Sequence, residues 1–545
     1  MTNARSSLAF FVMFAVHSLL MSPAAHADPP VPRIQWSDTC PPAPPGSGYG
    51  DDGQKCAMIE VPLDYRRPNG DRISIAVSMI PAASPAQRRG VLFLNPGGPG
   101  GAGLDMPRMM VSLLGGGPGQ AVLDRYDLIG FDPRFVGRST PATCGMTAKQ
   151  ADQAFVPLEQ DHSFDATATF NQQVAAGCIQ KMGESVRFAT TANTARDMDA
   201  IRRGLREDRI SYFAYSYGTY LGAVYASLYP DNTDRFVIDS NVDPDWVWRT
   251  TFRAWGPGGQ LRFPDFAAFT AARDSTYHFG STPDEVSASY FRLYGQVDAN
   301  PVGGVFLDGT LVNGPMFSIL TFSFLENDAY FDGLAGLWSY FDASSAAPTS
   351  HVAAAPLSSP VLPRDIVVPD DNQAASGIAV VCDDVRWSRS VSQYEQEYEA
   401  DKRAFPMFGA LGSNIFPCAF WPYDPVEPLV AISSHGRSNI LMLQNVRDPA
   451  TPYDGALGMH AALGRRSRLV TVDGGGHAIY GYETNSCATD IATAYLADGV
   501  FPAHDVFCPS NPSPTVASTN GAQRVAATAA VRRSLQRLRW RQPSW

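Results

Sequence analysis

The chain has 545 residues, 45% of them apolar, a balance that fits a folded globular protein and argues against a disordered one. That length exceeds what one ordinary hydrophobic core fills, so a main domain with a large insertion or second domain is expected. A net charge of −11 argues against nucleic acid as the main partner, because a phosphate backbone calls for a basic face, and leaves room for a local basic patch.

The first residues read as an export signal. Arg5 gives a positive start, Leu8 to Met21 is mostly apolar, and Ala25-His26-Ala27 offers a small-x-small cleavage site. Residues 1–27 are therefore expected to be a signal peptide, with the mature chain starting at Asp28 in the periplasm or outside the cell. The apolar run is short and broken by His17, so stable membrane insertion is not expected. Export changes the reading of the eight cysteines, because an even count in an oxidising compartment indicates disulfides. Pairing in chain order (40–56, 144–178, 382–418, 487–508) closes four short loops, although eight cysteines admit many connectivities. No ligand spacing supports a metal site.

Residues 28–56 are a Pro- and Gly-rich lead-in. Met58 to Leu63 and Ile73 to Ile80, separated by the turn Arg66-Arg67-Pro68-Asn69-Gly70, predict an antiparallel hairpin at a sheet edge. Val91 to Leu94 is a short buried strand that runs into Asn95-Pro96-Gly97-Gly98-Pro99-Gly100-Gly101. Tyr126 to Phe131 is a second buried strand, followed by helices at Phe170 to Met182 and Thr194 to Leu205. Ile210 to Tyr215 is a strand, Tyr217 to Leu228 a helix, and Phe236 to Ile238 the next strand. This alternation predicts a parallel sheet covered on both faces. It then breaks. Residues 245–430 are aromatic-rich and helical in places, as at Pro283 to Val297 and Val391 to Phe405, with an Ala/Ser/Pro-rich connection at 345–375. Strands return at Ile440 to Leu443 and Leu469 to Val472. The expected organisation is an α/β core at 28–244 and 431–510, a lid insertion at 245–430, and a tail at 511–545. That tail carries Arg532, Arg533, Arg537, Arg539 and Arg541. It reads as solvated, with a short basic amphipathic helix as the alternative.

Ala214-Tyr215-Ser216-Tyr217-Gly218 lies between a strand and a helix, the setting of a nucleophile elbow. Small residues two before and two after the serine keep side chains from colliding across a tight turn. The Gly-rich run after the strand Val91 to Leu94 leaves backbone N–H groups free to hold an oxyanion, so donors are assigned to Gly97 or Gly98 and to Tyr217. It lacks the Lys-Ser/Thr ending of a phosphate loop. A serine hydroxyl needs a base, and the base an orienting carboxylate. In this arrangement the chain order is Ser, acid, His. Asp448 and His477, each just past a strand's C-terminal end, supply them. Asp454, His435, His460 and His504 are weaker candidates by position.

The segments Asn95 to Gly100, Gly130 to Ser139, Tyr215 to Thr219, Asp448 to Pro452 and Gly475 to His477 together resemble the exported tripeptidyl aminopeptidases. These are relatives of the prolyl iminopeptidases among the α/β-hydrolases. Two residues depart from that pattern. Ala214 replaces Gly before the nucleophile, and Phe135 stands where such proteins carry Gly, in a loop where it would change access to the site. The resemblance implies an α/β-hydrolase fold with a large helical lid, and release of short peptides from a free N-terminus. It also implies acids in the lid that bind substrate. Cys382-Asp383-Asp384 resembles the segment where relatives carry them, and Asp384 is the candidate for the substrate amine. No cofactor is expected. The partner is a peptide substrate, with the oligomeric state open. An exported esterase or amidase using the same triad is the alternative.

Overall fold

The computed structural model describes residues 31–43, 50, 53–154, 163–305, 310–344, 367–482 and 485–510. The expected signal segment and the basic tail lie outside the described residues.

Nine strands make one sheet: β1 (Lys55–Pro62), β2 (Arg72–Ile80), β3 (Gly90–Asn95), β4 (Tyr126–Phe131), β5 (Ile210–Tyr215), β6 (Thr233–Asp239), β7 (Ile440–Arg447), β8 (Ser467–Gly475) and β9 (Val506–Cys508). Across the sheet they run β1-β2-β4-β3-β5-β6-β7-β8-β9. The hairpin β1–β2 and the pair β2–β4 are antiparallel, and all other pairs are parallel. With helices on both faces this is the α/β-hydrolase fold.

Central strands covered on both faces read as unbroken apolar runs. β3 and β5 are buried at every residue. The pleat divides them: Val91, Phe93, Tyr212 and Ala214 join the core on one face, and Leu92, Leu94, Phe213 and Tyr215 that on the other. Helices Phe164–Met182 and Thr191–Leu205 start earlier than the apolar pattern predicts. Ser163 accepts from the Ala166 amide and Thr190 from the Asn193 amide. Each such cap stabilises its helix by about 1 kcal/mol.

β6 pairs directly with β7, so residues 240–439 are inserted between neighbouring strands. Their helices fall into two groups. Trp255–Ala271, Pro283–Ala299, Gly314–Phe324 and Phe331–Ser344 close around a separate aromatic core, with Trp338 fully buried among Phe263, Phe266, Tyr290 and Phe317. Helix Asn372–Asp384 instead packs into the core of the main sheet, through Ile378, Val381 and their neighbours. The four disulfides join in chain order: Cys40–Cys56, Cys144–Cys178, Cys382–Cys418 and Cys487–Cys508. Among the described residues, no helix is long and apolar enough to cross a membrane.

The segment Gly130 to Ser139 is a scaffold. Asp132 accepts from the amides of Gly103, Leu104 and Arg138, and fixes the loop after the Gly-rich run. Arg134 is fully buried, bidentate to Asp197 at 2.7 and 2.8 Å. Phe135 adopts φ 69°, a left-handed conformation that glycine adopts without steric cost. Its side chain is buried in the core, so the residue strains the backbone rather than shaping an entrance.

Candidate active site

Ser216 sits between β5 and helix Tyr217–Leu228 with φ 56° and ψ −126°, a strained conformation for a residue with a Cβ. The surroundings hold it there. Its N–H donates to the Asp239 carbonyl at 3.0 Å, and its carbonyl accepts from Thr219 N–H at 2.8 Å and from Thr219 Oγ1 at 2.6 Å. A Cβ on Gly218 would stand 2.6 Å from the Ala214 Cβ. The elbow therefore accepts Ala at 214 because its partner across the turn has no side chain.

The Gly-rich loop presses against the serine. A Cβ on Gly97 would meet the Tyr215 carbonyl at 2.8 Å and the Ser216 Cβ at 2.9 Å. Its own N–H is taken by Asn95 Oδ1 at 3.0 Å. Gly98 N–H and Tyr217 N–H, the latter at the first position of its helix, have no hydrogen-bond partner among the described residues. Of the two glycines, Gly98 is thus the one with an amide to spare. Gly97 provides the close approach. Gly100 carries the loop under helix Asn372–Asp384, where a Cβ would lie 2.4 Å from the Gln373 carbonyl.

Asp448 follows β7 and is fully buried. Its Oδ1 accepts from the amides of Ala450 and Thr451, and its Oδ2 from Thr451 Oγ1 and Gln444 Nε2. Both oxygens also face His477 Nδ1, at 3.0 and 2.9 Å. With Nδ1–H given to the carboxylate, Nε2 is the basic nitrogen. Burial opposes the imidazolium, but Asp448, then Glu326 and Asp239, outweigh it and push His477 up to about 9.

One strand end gathers these loops. The Asp239 carbonyl holds Ser216, its Oδ2 accepts from the amides of Ile479 and Tyr480 at 2.8 Å, and Ser240 Oγ takes the Ala478 amide. Burial, partly offset by those two amides, raises Asp239 to about 7. The elbow and the residues that follow His477 therefore hang from adjacent positions. Among the described residues Ser216 Oγ and His477 Nε2 make no hydrogen bond to each other. Bonds of this kind tighten in a substrate complex.

Asp384 is buried behind the elbow. Its Oδ1 accepts from Thr191 N–H at 2.7 Å, and its Oδ2 from Thr191 Oγ1 at 2.6 Å and Trp248 Nε1 at 3.1 Å. Burial, partly offset by these donors, raises it to about 6. Thr191 Oγ1 also meets the Tyr217 hydroxyl, which links the acid to the residue after the serine. Neighbouring Asp383 is held by Trp421 Nε1, and its Oδ2 has no partner among the described residues.

A further carboxylate near the histidine carries no motif in the sequence. Glu326, at the end of helix Gly314–Phe324, accepts the His477 amide on its backbone carbonyl at 2.7 Å, and its side chain interacts electrostatically with both His477 and Asp448. Burial raises its pKa. The run Gly474-Gly475-Gly476 was the available signal, because three glycines before a candidate base mark a loop that something approaches closely.

The model of the TAP-like protein family matches residues 405–508, which include Asp448 and His477. A tripeptidyl aminopeptidase of Streptomyces coelicolor is 34% identical over 84% of this chain and 84% of its own. Serine protease Hip1 of Mycobacterium tuberculosis is 28% identical over 84% and 87%. Carboxylesterase B of the same species is 29% identical over 83% and 86%. The first likeness extends well past the residues around the site into both parts of the sheet and the insertion between them. With 34% of residues shared over most of both chains, the chain belongs to the tripeptidyl aminopeptidase family.

Proposed function

We propose that this serine hydrolase is an exported aminopeptidase that releases tripeptides from free N-termini through an acyl-enzyme on Ser216. The supporting observation is the strained Ser216 hung from the same strand end as the loop of an Asp448-paired histidine. His477 Nε2 takes the hydroxyl proton as Oγ attacks the scissile carbonyl. Asp448 stabilises the imidazolium, and the amides of Gly98 and Tyr217 receive the oxyanion, each worth about 3 kcal/mol. His477 then protonates the leaving amine, and water, activated by the same base, frees the tripeptide. These steps call on no metal or organic cofactor.

For the free amine two carboxylates are in play. Asp384 is buried with both oxygens engaged, so an ammonium there would share it with the Thr191 and Trp248 donors. The Glu326 side chain makes no hydrogen bond among the described residues and interacts electrostatically with His477 and Asp448. The test compares free and N-blocked tripeptide chromogenic substrates for the wild type, Asp384→Asn and Glu326→Gln. The variant that loses preference for the free amine identifies the amine site. If neither does, both assignments fail. Ser216→Ala should abolish cleavage, on the order of 10⁶-fold in kcat. Mass spectrometry of digested peptides reads the length released.

The likeness to carboxylesterase B favours a second reading, an exported esterase or amidase using the same residues. Equal turnover of blocked and free substrates would select it.

A further inference from the structure

We infer that Asp265, in the inserted aromatic lobe, is a positioning residue that sets the acid loop and the base loop together. The inference rests on the triad reading above and adds to it that the lobe completes the triad as well as covering it.

Helix Trp255–Ala271 presents Gly258, Arg262 and Asp265 along one face, at i, i+4 and i+7. That face meets the core. A Cβ on Gly258 would stand 2.3 Å from the Pro449 carbonyl, so the helix touches the turn just after Asp448, backbone to backbone. One turn on, Arg262 is fully buried. Its Nε donates to the Leu325 carbonyl at 2.9 Å, its Nη1 to Asp265 Oδ2 at 2.6 Å, and its Nη2 to Asp328. Asp265 Oδ2 also accepts from Arg447 Nε at 2.7 Å, and Arg447 Nη1 reaches Asp473 Oδ1 at 3.1 Å.

Each guanidinium belongs to a segment that matters. Arg447 precedes Asp448. Asp473 opens the glycine run that leads to His477. Leu325, held by Arg262, precedes Glu326, whose carbonyl receives the His477 amide. One carboxylate oxygen therefore bridges the acid loop to the corner that holds the base loop. The glycines record the contact. A Cβ on Gly475 would lie 2.0 Å from Arg262 Nη1, and one on Gly476 2.5 Å from the Glu326 carbonyl. Burial alone would raise Asp265, but its two arginines outweigh that and hold it below the usual carboxylate range, so it is an anion at any working pH.

The network acts on geometry first. Loops displaced by an ångström can cost on the order of 10²-fold in rate. It acts on charge second. His477 is faced by Asp448, Glu326 and Asp239, and Asp265 neutralises the arginines one residue from Asp448 and beside Gly475. Without that anion the uncompensated cations disfavour the imidazolium.

The test is steady-state kinetics of Asp265→Asn and Asp265→Glu on a free tripeptide chromogenic substrate across pH. Thermal melts run in parallel, and Ser216→Ala is the control. For Asp265→Asn the expected result is kcat lower by roughly ten- to a hundredfold with KM within about twofold. The acid limb of kcat/KM should move to lower pH, and Asp265→Glu should recover most of the rate. Unchanged kcat and acid limb, or a loss carried by KM, overturns the inference. If Asp265→Asn does not fold, Asp473→Asn at the rim of the network must show the same kcat-not-KM pattern at smaller size, and its absence overturns the inference equally. Residual activity in Ser216→Ala would sink the triad reading instead, whatever Asp265 does.

Discussion

The two parts of the insertion serve the site in opposite ways. Helix Asn372–Asp384 belongs to the main core and meets the oxyanion side. The Asn372 side chain accepts from Gly137 N–H and donates to the Phe135 and Ala142 carbonyls, and Gly100 packs on its first turns. The aromatic lobe has a core of its own and meets the acid–base side through arginines, carboxylates and glycines. Apolar burial fixes a position and adds no field of its own. A charged contact fixes position and field together, and responds to pH and salt. The helix on the oxyanion side is set mainly by packing, and the acid–base side mainly by charge.

The sharpest way to break that contrast is Gly100→Ala. Its φ of 99° and the Gln373 carbonyl leave no room for a Cβ, so the loop must leave its seat. The expected result is kcat/KM down by at least about 10²-fold with KM and kcat both affected, unlike the kcat-only loss from the lobe. Asn372→Ala comes next. It strands buried partners in the Phe135 loop and should lower stability by about 2–4 kcal/mol, read by denaturant or thermal unfolding, with a smaller change in rate. Glu326→Gln has a subtler signature. The base must be neutral to act, and Glu326 favours its charged form, so the acid limb of kcat/KM should shift toward lower pH in the variant. A shift toward higher pH would refute the charge argument. In the wild type that limb should lie well above the ordinary imidazole range. Salt should act least. Raising ionic strength from about 0.1 to 1 M screens the partly exposed Asp473 and exposed Asp328 ends of the lobe network, and should lower kcat by less than about threefold.

Much of the fold is legible in the sequence. The bounds of β4, β5 and helix Tyr217–Leu228 match their apolar runs, because those runs are buried on both sides and bounded by turn residues. Ser216, Asp448 and His477 are singled out as a candidate triad by chain order and strand ends, which is information carried along one dimension. Helix Ser486–Asp498 and the short edge strand β9 are not legible in this way. The helix starts at an Asn485 cap with no strong apolar period, and β9 is three residues long. The lobe's contribution was out of reach for another reason. Arg262 and Leu325 are 63 residues apart, and Asp265 and Arg447 are 182 apart. The 258/262/265 spacing predicts a shared face but not what that face meets.

For a chain exported as proposed, the disulfides bear on how it matures. Their partners are separated by 16, 34, 36 and 21 residues. A polypeptide threading through a translocon N-terminus first presents each thiol's mate soon after the thiol itself, before the next pair has fully emerged. Oxidation can therefore proceed in order during transit, with little opportunity for scrambling. A strong thiol oxidase alone should then suffice, without an isomerase to correct its products.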